Sequence, residues 1–304
     1  MTDTLVYPNI RLGVEIEVEG AYDVREITGW RREGDGSLRD GGLELVFSQP
    51  KRGPAAQTAI RRAINELVRA RARTSYRTSI HVHCDVESAQ LRTKGLIRAI
   101  ALYILLERAL FAWEGNNREC NNFCVPMYKA STVLSDFARI VQMPPELRRD
   151  EMSTFESSRY NALNLHALYK FGTLEFRHML TDFNYSRVIT WINLVTSIMG
   201  AAAKLRIKMP AFAKWITEAS ETEIMEEIYS PELVEAVGRA TLADSIEQGR
   251  GLAISFLIDT GMLESKTLPP PPVAREDKFF NPYTSGKSHP LVANLIEKLH
   301  LTII

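Results

Sequence analysis

This chain has no stretch long and apolar enough to span a bilayer, no excess charge of either sign, and only three cysteines among 304 residues. Each absence excludes something. A spanning helix needs roughly 18 or more uninterrupted apolar residues. The nearest approach, Gly95 to Trp113, is broken by Arg98, Glu107 and Arg108 and predicts a buried core helix instead. Lys plus Arg and Asp plus Glu number 37 each, so no global field favours nucleic acid or an anionic membrane. The Arg-rich run from Arg61 to Arg73 follows Ile60 and carries Ile64, Leu67 and Val68 at helical spacing. It reads as a solvated helix face. Three cysteines cannot all pair. Cys120 and Cys124 form C-x3-C with no second pair, which argues against zinc, and Cys84 falls on the apolar side of its segment. Reduced thiols in a cytoplasmic protein are the expectation. The N-terminus has no basic-then-apolar signal sequence. There is no internal repeat and no glycine-rich phosphate loop of the P-loop kind. With 45% apolar and 24% charged residues, the chain has the composition of a globular protein able to bury a sizeable core.

What is present is a set of short alternating segments rich in acids and histidines. They are Gly13-Val14-Glu15-Ile16-Glu17-Val18-Glu19, Gly42-Leu43-Glu44-Leu45-Val46, Ile80-His81-Val82-His83-Cys84-Asp85 and Gly172-Thr173-Leu174-Glu175-Phe176-Arg177. Successive side chains of a strand point to opposite faces. Glu15, Glu17 and Glu19 therefore share one face, His81, His83 and Asp85 another such row, and Glu175 and Arg177 a third. Carboxylates gathered on one sheet face repel one another unless cations neutralise them. A divalent metal site is the first expectation. Glu15 and Glu17 would stand about 6.5–7 Å apart along their strand.

The remaining pattern sets the fold class. Strands are expected over 10–19, up to Phe47, over Thr78–Val86, over Arg159–Leu168 and over 172–179, with Lys170-Phe171-Gly172 as a hairpin turn. Helical periodicity covers 55–73, 88–114, 132–142 (ending at Pro144-Pro145) and Tyr185–Lys208. Residues 211–260 read as helical pieces, followed by Leu268-Pro269-Pro270-Pro271-Pro272, which neither helix nor sheet interior accepts. One short helix is expected near 290–300. This order favours an α+β protein with an antiparallel sheet. The expected organisation is a domain over 1–208 and a helical C-terminal region over 209–304.

Read together, the blocks resemble the amidoligase family. They are Gly13-Val14-Glu15-Ile16-Glu17, Asp35-Gly36-Ser37-Leu38, Gly42-Leu43-Glu44-Leu45-Val46, His81-Val82-His83, Arg159-Tyr160-Asn161-Ala162-Leu163-Asn164-Leu165 and Thr173-Leu174-Glu175-Phe176-Arg177-His178. That family belongs with the glutamine synthetase and glutamate–cysteine ligase superfamily of carboxylate–amine ligases. The resemblance covers roughly residues 10–180 and not 200–304. It implies a curved antiparallel sheet covered by helices, with ATP and Mg²⁺ (or Mn²⁺) on its concave polar face. It also implies ATP-dependent amide or isopeptide bond formation through an acyl phosphate. The substrates would be a small-molecule or peptide carboxylate and an amine.

By the same resemblance, Glu15, Glu17, Glu44, His81 and Glu175 would be metal ligands. Glu44 would join Glu17 around one ion, and His81 and Glu175 would join Glu15 around the other. His83 would lie by the ATP phosphates, and Arg177 would offer its planar fork to the phosphoryl group. Arg177, Glu15 and Glu175 would carry the catalysis. Arg159 and Asn164 would bind nucleotide or substrate. Each has a plainer reading as well: solvated strand face, satisfied core histidine or cross-strand ion pair. Trp30 reads as a core aromatic, and Asp35 and Ser37 as turn residues or part of the site. Two other functions fit the same residues: a guanidino phosphotransferase of this fold, or a non-catalytic binding or structural protein that kept it. Residues 209–304 would shape the substrate mouth or a homo-oligomer contact.

Overall fold

The structure is a computed structural model that describes residues 4–115, 118–155 and 159–263. In chain order the elements are β1 (Leu12–Val18), β2 (Trp30–Glu33), β3 (Leu43–Phe47), α1 (Gly53–Arg69), β4 (Ile80–Asp85), α2 (Thr93–Glu114), α3 (Ser131–Gln142) and α4 (Pro145–Thr154). Then come β5 (Leu163–Asn164), α5 (Ala167–Phe171), β6 (Thr173–Phe176), α6 (Tyr185–Lys204), α7 (Met209–Glu218), α8 (Glu221–Ile228), α9 (Pro231–Val237) and α10 (Arg239–Asp259). The fold class is α+β, as expected. The strands form one antiparallel sheet in the order β2-β3-β1-β4-β6-β5, so the acidic strand β1 lies in the interior of the sheet.

Alternation does what the sequence predicts. Leu12, Val14, Ile16 and Val18 of β1 are fully buried with Leu45 of β3 and Ile80, Val82 and Cys84 of β4. Helix α6 lies against this apolar side at β4, with α1 and α2 against α6. Trp30 is a core residue: it packs on Phe47 and its indole N–H donates to the Ala59 carbonyl at 3.0 Å.

Helix α2 is apolar nearly all round because it is enclosed. Its three buried charges are all bonded, Glu114 to Arg187 at 3.2 Å. Arg98 donates to the Ala202 and Ile207 carbonyls at 3.2 and 3.4 Å. Glu107 accepts from the Tyr103 hydroxyl and from the backbone N–H groups of Met127 and Tyr128. No helix among the described residues is long and apolar enough to cross a membrane. Cys84, Cys120 and Cys124 are unpaired thiols.

Two local expectations are corrected. The expected hairpin turn at 170–172 is instead the short helix α5. The Asn164 side chain accepts the His166 N–H at 3.0 Å and turns the chain, and Gly172 ends the helix in the left-handed region at φ 67°. Pro144-Pro145, read only as a stop, also opens α4. A proline at the first helical position lacks an N–H that would have had no partner anyway.

The helices beyond 208 share the core of the sheet layer. Helix α10 lies along α2 at backbone contact. A Cβ at Gly249 would stand 2.7 Å from Leu105 Cα and 2.8 Å from the Ile104 oxygen. Beside it the Ser245 hydroxyl donates to the Leu105 carbonyl at 2.8 Å and accepts the Ala109 N–H at 3.0 Å. Because both obstacles at Gly249 are backbone, Gly249→Ala should force the two helices apart and destabilise the fold by about 1–3 kcal/mol. Urea unfolding of the variant against the parent measures this. The proline-rich connection at 268–272 and the helix expected near 290–300 lie outside the described residues.

Candidate active site

The polar face of the sheet carries the site in cross-strand rows. Directly opposed residues of antiparallel strands share a face. Glu17 opposes Glu44, Glu15 opposes His81, His83 opposes both Gly13 and Glu175, and Glu175 opposes Asn164. Four strands thus bring Glu15, Glu44, His81, His83 and Glu175 to one place, at the floor of a cavity of about 500 Å³. Its walls add Asp35, Ser37, Arg77, Phe123, Arg159 and Lys170. The acids Asp35 and Glu44 come from the β2–β3 side, and the cations from segments flanking β4, β5 and β6.

Glu15 is the hub. Its two oxygens lie 2.9 Å from His81 Nδ1 and 3.2 Å from His83 Nε2. Burial would raise its carboxyl, but the hydrogen bonds and charge of the two imidazoles outweigh burial and hold it well below the usual carboxylate range. Glu175 is also buried and also held low, by Arg177 and then the two histidines. Its Oε2 accepts from the Asn164 amide at 2.6 Å, and its Oε1 pairs with Arg177 Nη1. Asn164 bridges Glu175 and the His166 N–H. It steadies Glu175, and its second N–H is available to a ligand.

Ser79 shows which hydrogen-bond role His81 Nε2 plays. Its single hydroxyl proton goes to Glu17 Oε2 at 2.6 Å, so its oxygen must accept from His81 Nε2 at 2.7 Å. That leaves His81 Nδ1 facing Glu15 at 2.9 Å and Glu175 at 3.6 Å. An imidazole lone pair and a carboxylate oxygen this close need a proton or a cation between them. Two ligand triads result: Glu15 with Glu44 and His81, and Glu15 with His83 and Glu175, each with its three donor atoms within 4.8 Å of one another. Carboxylate oxygens suit Mg²⁺ or Mn²⁺, and the imidazole nitrogens tilt the donor set toward Mn²⁺.

The expected grouping differs in detail. Glu44 joins Glu15 and His81, whereas Glu17, 4% exposed, is tied to Ser79 and lies outside both triads. His83, expected near phosphates, stands among the carboxylates. Arg159 is exposed at the cavity wall with its guanidinium 5.1 Å from the Tyr160 ring centre. Arg177 reaches the floor, near His81 Nδ1 at 3.3 Å and the Phe123 carbonyl at 3.4 Å. Asp35 caps its own turn by accepting the Ser37 N–H at 2.6 Å.

Several contributors escaped the sequence reading. Ser79 and Thr173 were legible, since each stands two residues from a site residue on the same strand face. Arg118 was not. Buried in a polar loop segment, it donates to the carbonyls of His178, Arg177 and Tyr76 at 2.9, 3.1 and 3.3 Å, and so anchors the backbone that carries Arg177. His178 turns away from the cavity into the core, where burial first and Arg118 second push its pKa down to about 3.

Burial, then the charges of Glu15, Glu17, Asp35 and Glu33, push the Glu44 carboxyl up to about 8. An ordinary carboxylate ionises near 4.5, so the folded protein holds a proton there that the unfolded chain releases. The stability contributed by this group is fully present below about pH 4.5 and is lost as pH rises to about 8. Glu107 and Glu114, pushed up to about 7 by burial, add to the same trend, so thermal unfolding in EDTA should show a shallower loss of stability with pH in Glu44→Gln than in the parent, most clearly between pH 7 and 8.

A family model described as "Putative amidoligase enzyme" matches residues 43–199, just over half of the chain. No curated protein matches it. The matched segment carries Glu44, His81, His83, Glu175 and Arg177. The sheet supplies Glu15 and Glu17 to the same floor from β1, outside the match.

Proposed function

The chain belongs to the amidoligase family, and from that premise we propose that it is an ATP-dependent carboxylate–amine ligase working on the polar face of its sheet. The observation that carries this reading is the convergence of Glu15, Glu44, His81, His83, Glu175 and Arg177 on one cavity floor. In the proposed reaction a substrate carboxylate oxygen attacks the γ-phosphorus, the Pβ–O–Pγ bond breaks, and ADP leaves. The amine, as its neutral form, then attacks the acyl carbon, the C–N bond forms as the acyl C–O bond breaks, phosphate departs with the original carboxylate oxygen, and the nitrogen gives its surplus proton to the departing phosphate. Transfer between two anions needs positioning and charge neutralisation above all.

Divalent ions, when bound, supply most of that neutralisation. Glu15, Glu44 and His81 would hold one, and Glu15, Glu175 and a second imidazole the other. The chain's own residues do the rest. Arg177, braced by Glu175 and by the Arg118 clamp, presents a planar cation to the phosphoryl group and then to the acyl phosphate. Arg77, Arg159 and Lys170 line the wall on the β4–β6 side and favour the nucleotide phosphates. Asp35 on the β2–β3 side favours a cationic amine. Acceptor and donor would thus approach from opposite walls.

The test is an ADP-release screen over amino acids, peptides and amines with Mg²⁺ or Mn²⁺, followed by mass detection of the product. Amine-dependent release of ADP and phosphate together with a condensed amide supports the ligase. A stable phosphoguanidine product would instead favour phosphotransfer without amide formation.

A further inference from the structure

His83 is held on three sides. Its Nδ1 lies 2.9 Å from the Thr173 hydroxyl on β6. The Phe171 ring meets its edge at 5.5 Å and 87°. On the β1 side stands Gly13, where a Cβ would come within 3.1 Å of His83 Cβ and 3.5 Å of Cγ. What remains is Nε2, and it points into the carboxylates, 3.2 Å from Glu15 Oε1 and 3.8 Å from Glu175 Oε2. Adjacent ligands of an octahedral ion with bonds of about 2.1 Å stand about 3 Å apart, and opposite ones about 4 Å. Both distances from Nε2 fall between those limits, and all three donor atoms lie within 4.8 Å of one another.

We propose that His83 is a metal-ligating imidazole that gives Nε2 to the same divalent ion as Glu15 and Glu175, and that Thr173 and Gly13 are the residues that position it. The proposal rests on the ligase reading only in that the reading calls for divalent ions. A phosphate contact would need Nε2 to point up into the cavity, away from both acids, and the Thr173 bond opposes that rotation. A hydroxyl suits the partner role because it both donates and accepts. Without an ion, Nε2 faces Glu15 as a donor, and the Thr173 hydroxyl can take either side of its bond with Nδ1. With an ion on Nε2, Nδ1–H donates to Thr173, the arrangement that fixes ligating histidines elsewhere. Gly13 belongs to the device because an alanine there would press on the ring's Cβ from β1. The two histidines of His81-Val82-His83 therefore serve different ions, His81 through Nδ1 and His83 through Nε2. Imidazole at both sites favours Mn²⁺ over Mg²⁺.

The experiment is a Mn²⁺ titration of the full chain by calorimetry, with spin-echo detection of nitrogen coordinated to Mn²⁺. It compares the parent with His83→Gln, Thr173→Val and Thr173→Ser. Thr173→Val keeps the shape and loses the bond. It should weaken one of two ion sites by about 10- to 100-fold, and Thr173→Ser should restore it. His83→Gln should remove one coordinated nitrogen and the preference for Mn²⁺ at that site. Spin-echo data on the parent alone test the assignment even if a variant fails to fold: one imidazole or none across two bound ions would overturn it. Unchanged ion affinity in His83→Gln and Thr173→Val, with weaker binding of ADP instead, would also overturn it while leaving the ligase reading standing. A parent that binds no divalent ion would end both.

Discussion

Glu15→Gln should cost at least about 10²–10³-fold in kcat/KM, the scale on which losing one preorganised electrostatic group registers. Glu15 is the carboxylate common to both ligand triads, so a neutral amide weakens both at once. Glutamine keeps the size of the side chain and removes one charge from a crowded group of acids, so the fold should survive with a thermal midpoint within a few degrees of the parent. Glu175→Ala should also stop turnover, but for a mixed reason. It strips the buried Arg177 guanidinium of its carboxylate partner, and breaking one side of a buried pair costs about 3–5 kcal/mol. Glu175→Gln separates the two effects, because its amide oxygen still accepts from Arg177. ADP release and urea unfolding, measured on all three variants, distinguish lost chemistry from lost structure. Unchanged ATP consumption in Glu15→Gln would remove Glu15 from the mechanism.

Arg177→Lys should lose most of the activity, about 10²-fold in kcat, with a smaller change in KM for ATP. The guanidinium serves Glu175, the Phe123 carbonyl and His81 Nδ1 at once through a rigid fork. An ammonium is a compact charge that cannot span those partners and still face a phosphoryl group. Added guanidinium ion should restore part of the rate to Arg177→Ala if the missing group acts on the reacting atoms. Full activity in Arg177→Lys would assign Arg177 to structure.

The period-two rule made most of the floor legible. Glu15, Glu44, His81, His83, Glu175 and Arg177 could each be placed on the polar face from alternation alone, and the structure brings them together. Which residues share an ion was not legible, because that depends on register. Glu15 opposes His81, while Glu17 opposes Glu44 one row away and is claimed by Ser79. The long helices were legible from their apolar content. Strand β2 was not, since Trp30-Arg31-Arg32-Glu33 is too short and too charged to carry a pattern of its own. Helix α5 was hidden by Phe171-Gly172, which reads as a turn until the Asn164 bond upstream is known. Nor could the intimacy of α10 and α2 be read, because a single glycine within a helix usually signals weakness rather than contact.

The interior position of β1 bears on how this protein can be handled. The segment that matches the family model starts at Leu43, so cutting the gene to that length would delete the strand joining β3 to β4. Two raw sheet edges rich in Leu, Ile and Val would be left without partners, an invitation to self-association. Stopping the reading frame after α6 would uncover the stripe of α2 that α10 shields. Any shortened version meant for crystals or isotope labelling must begin before Leu12 and run past Asp259.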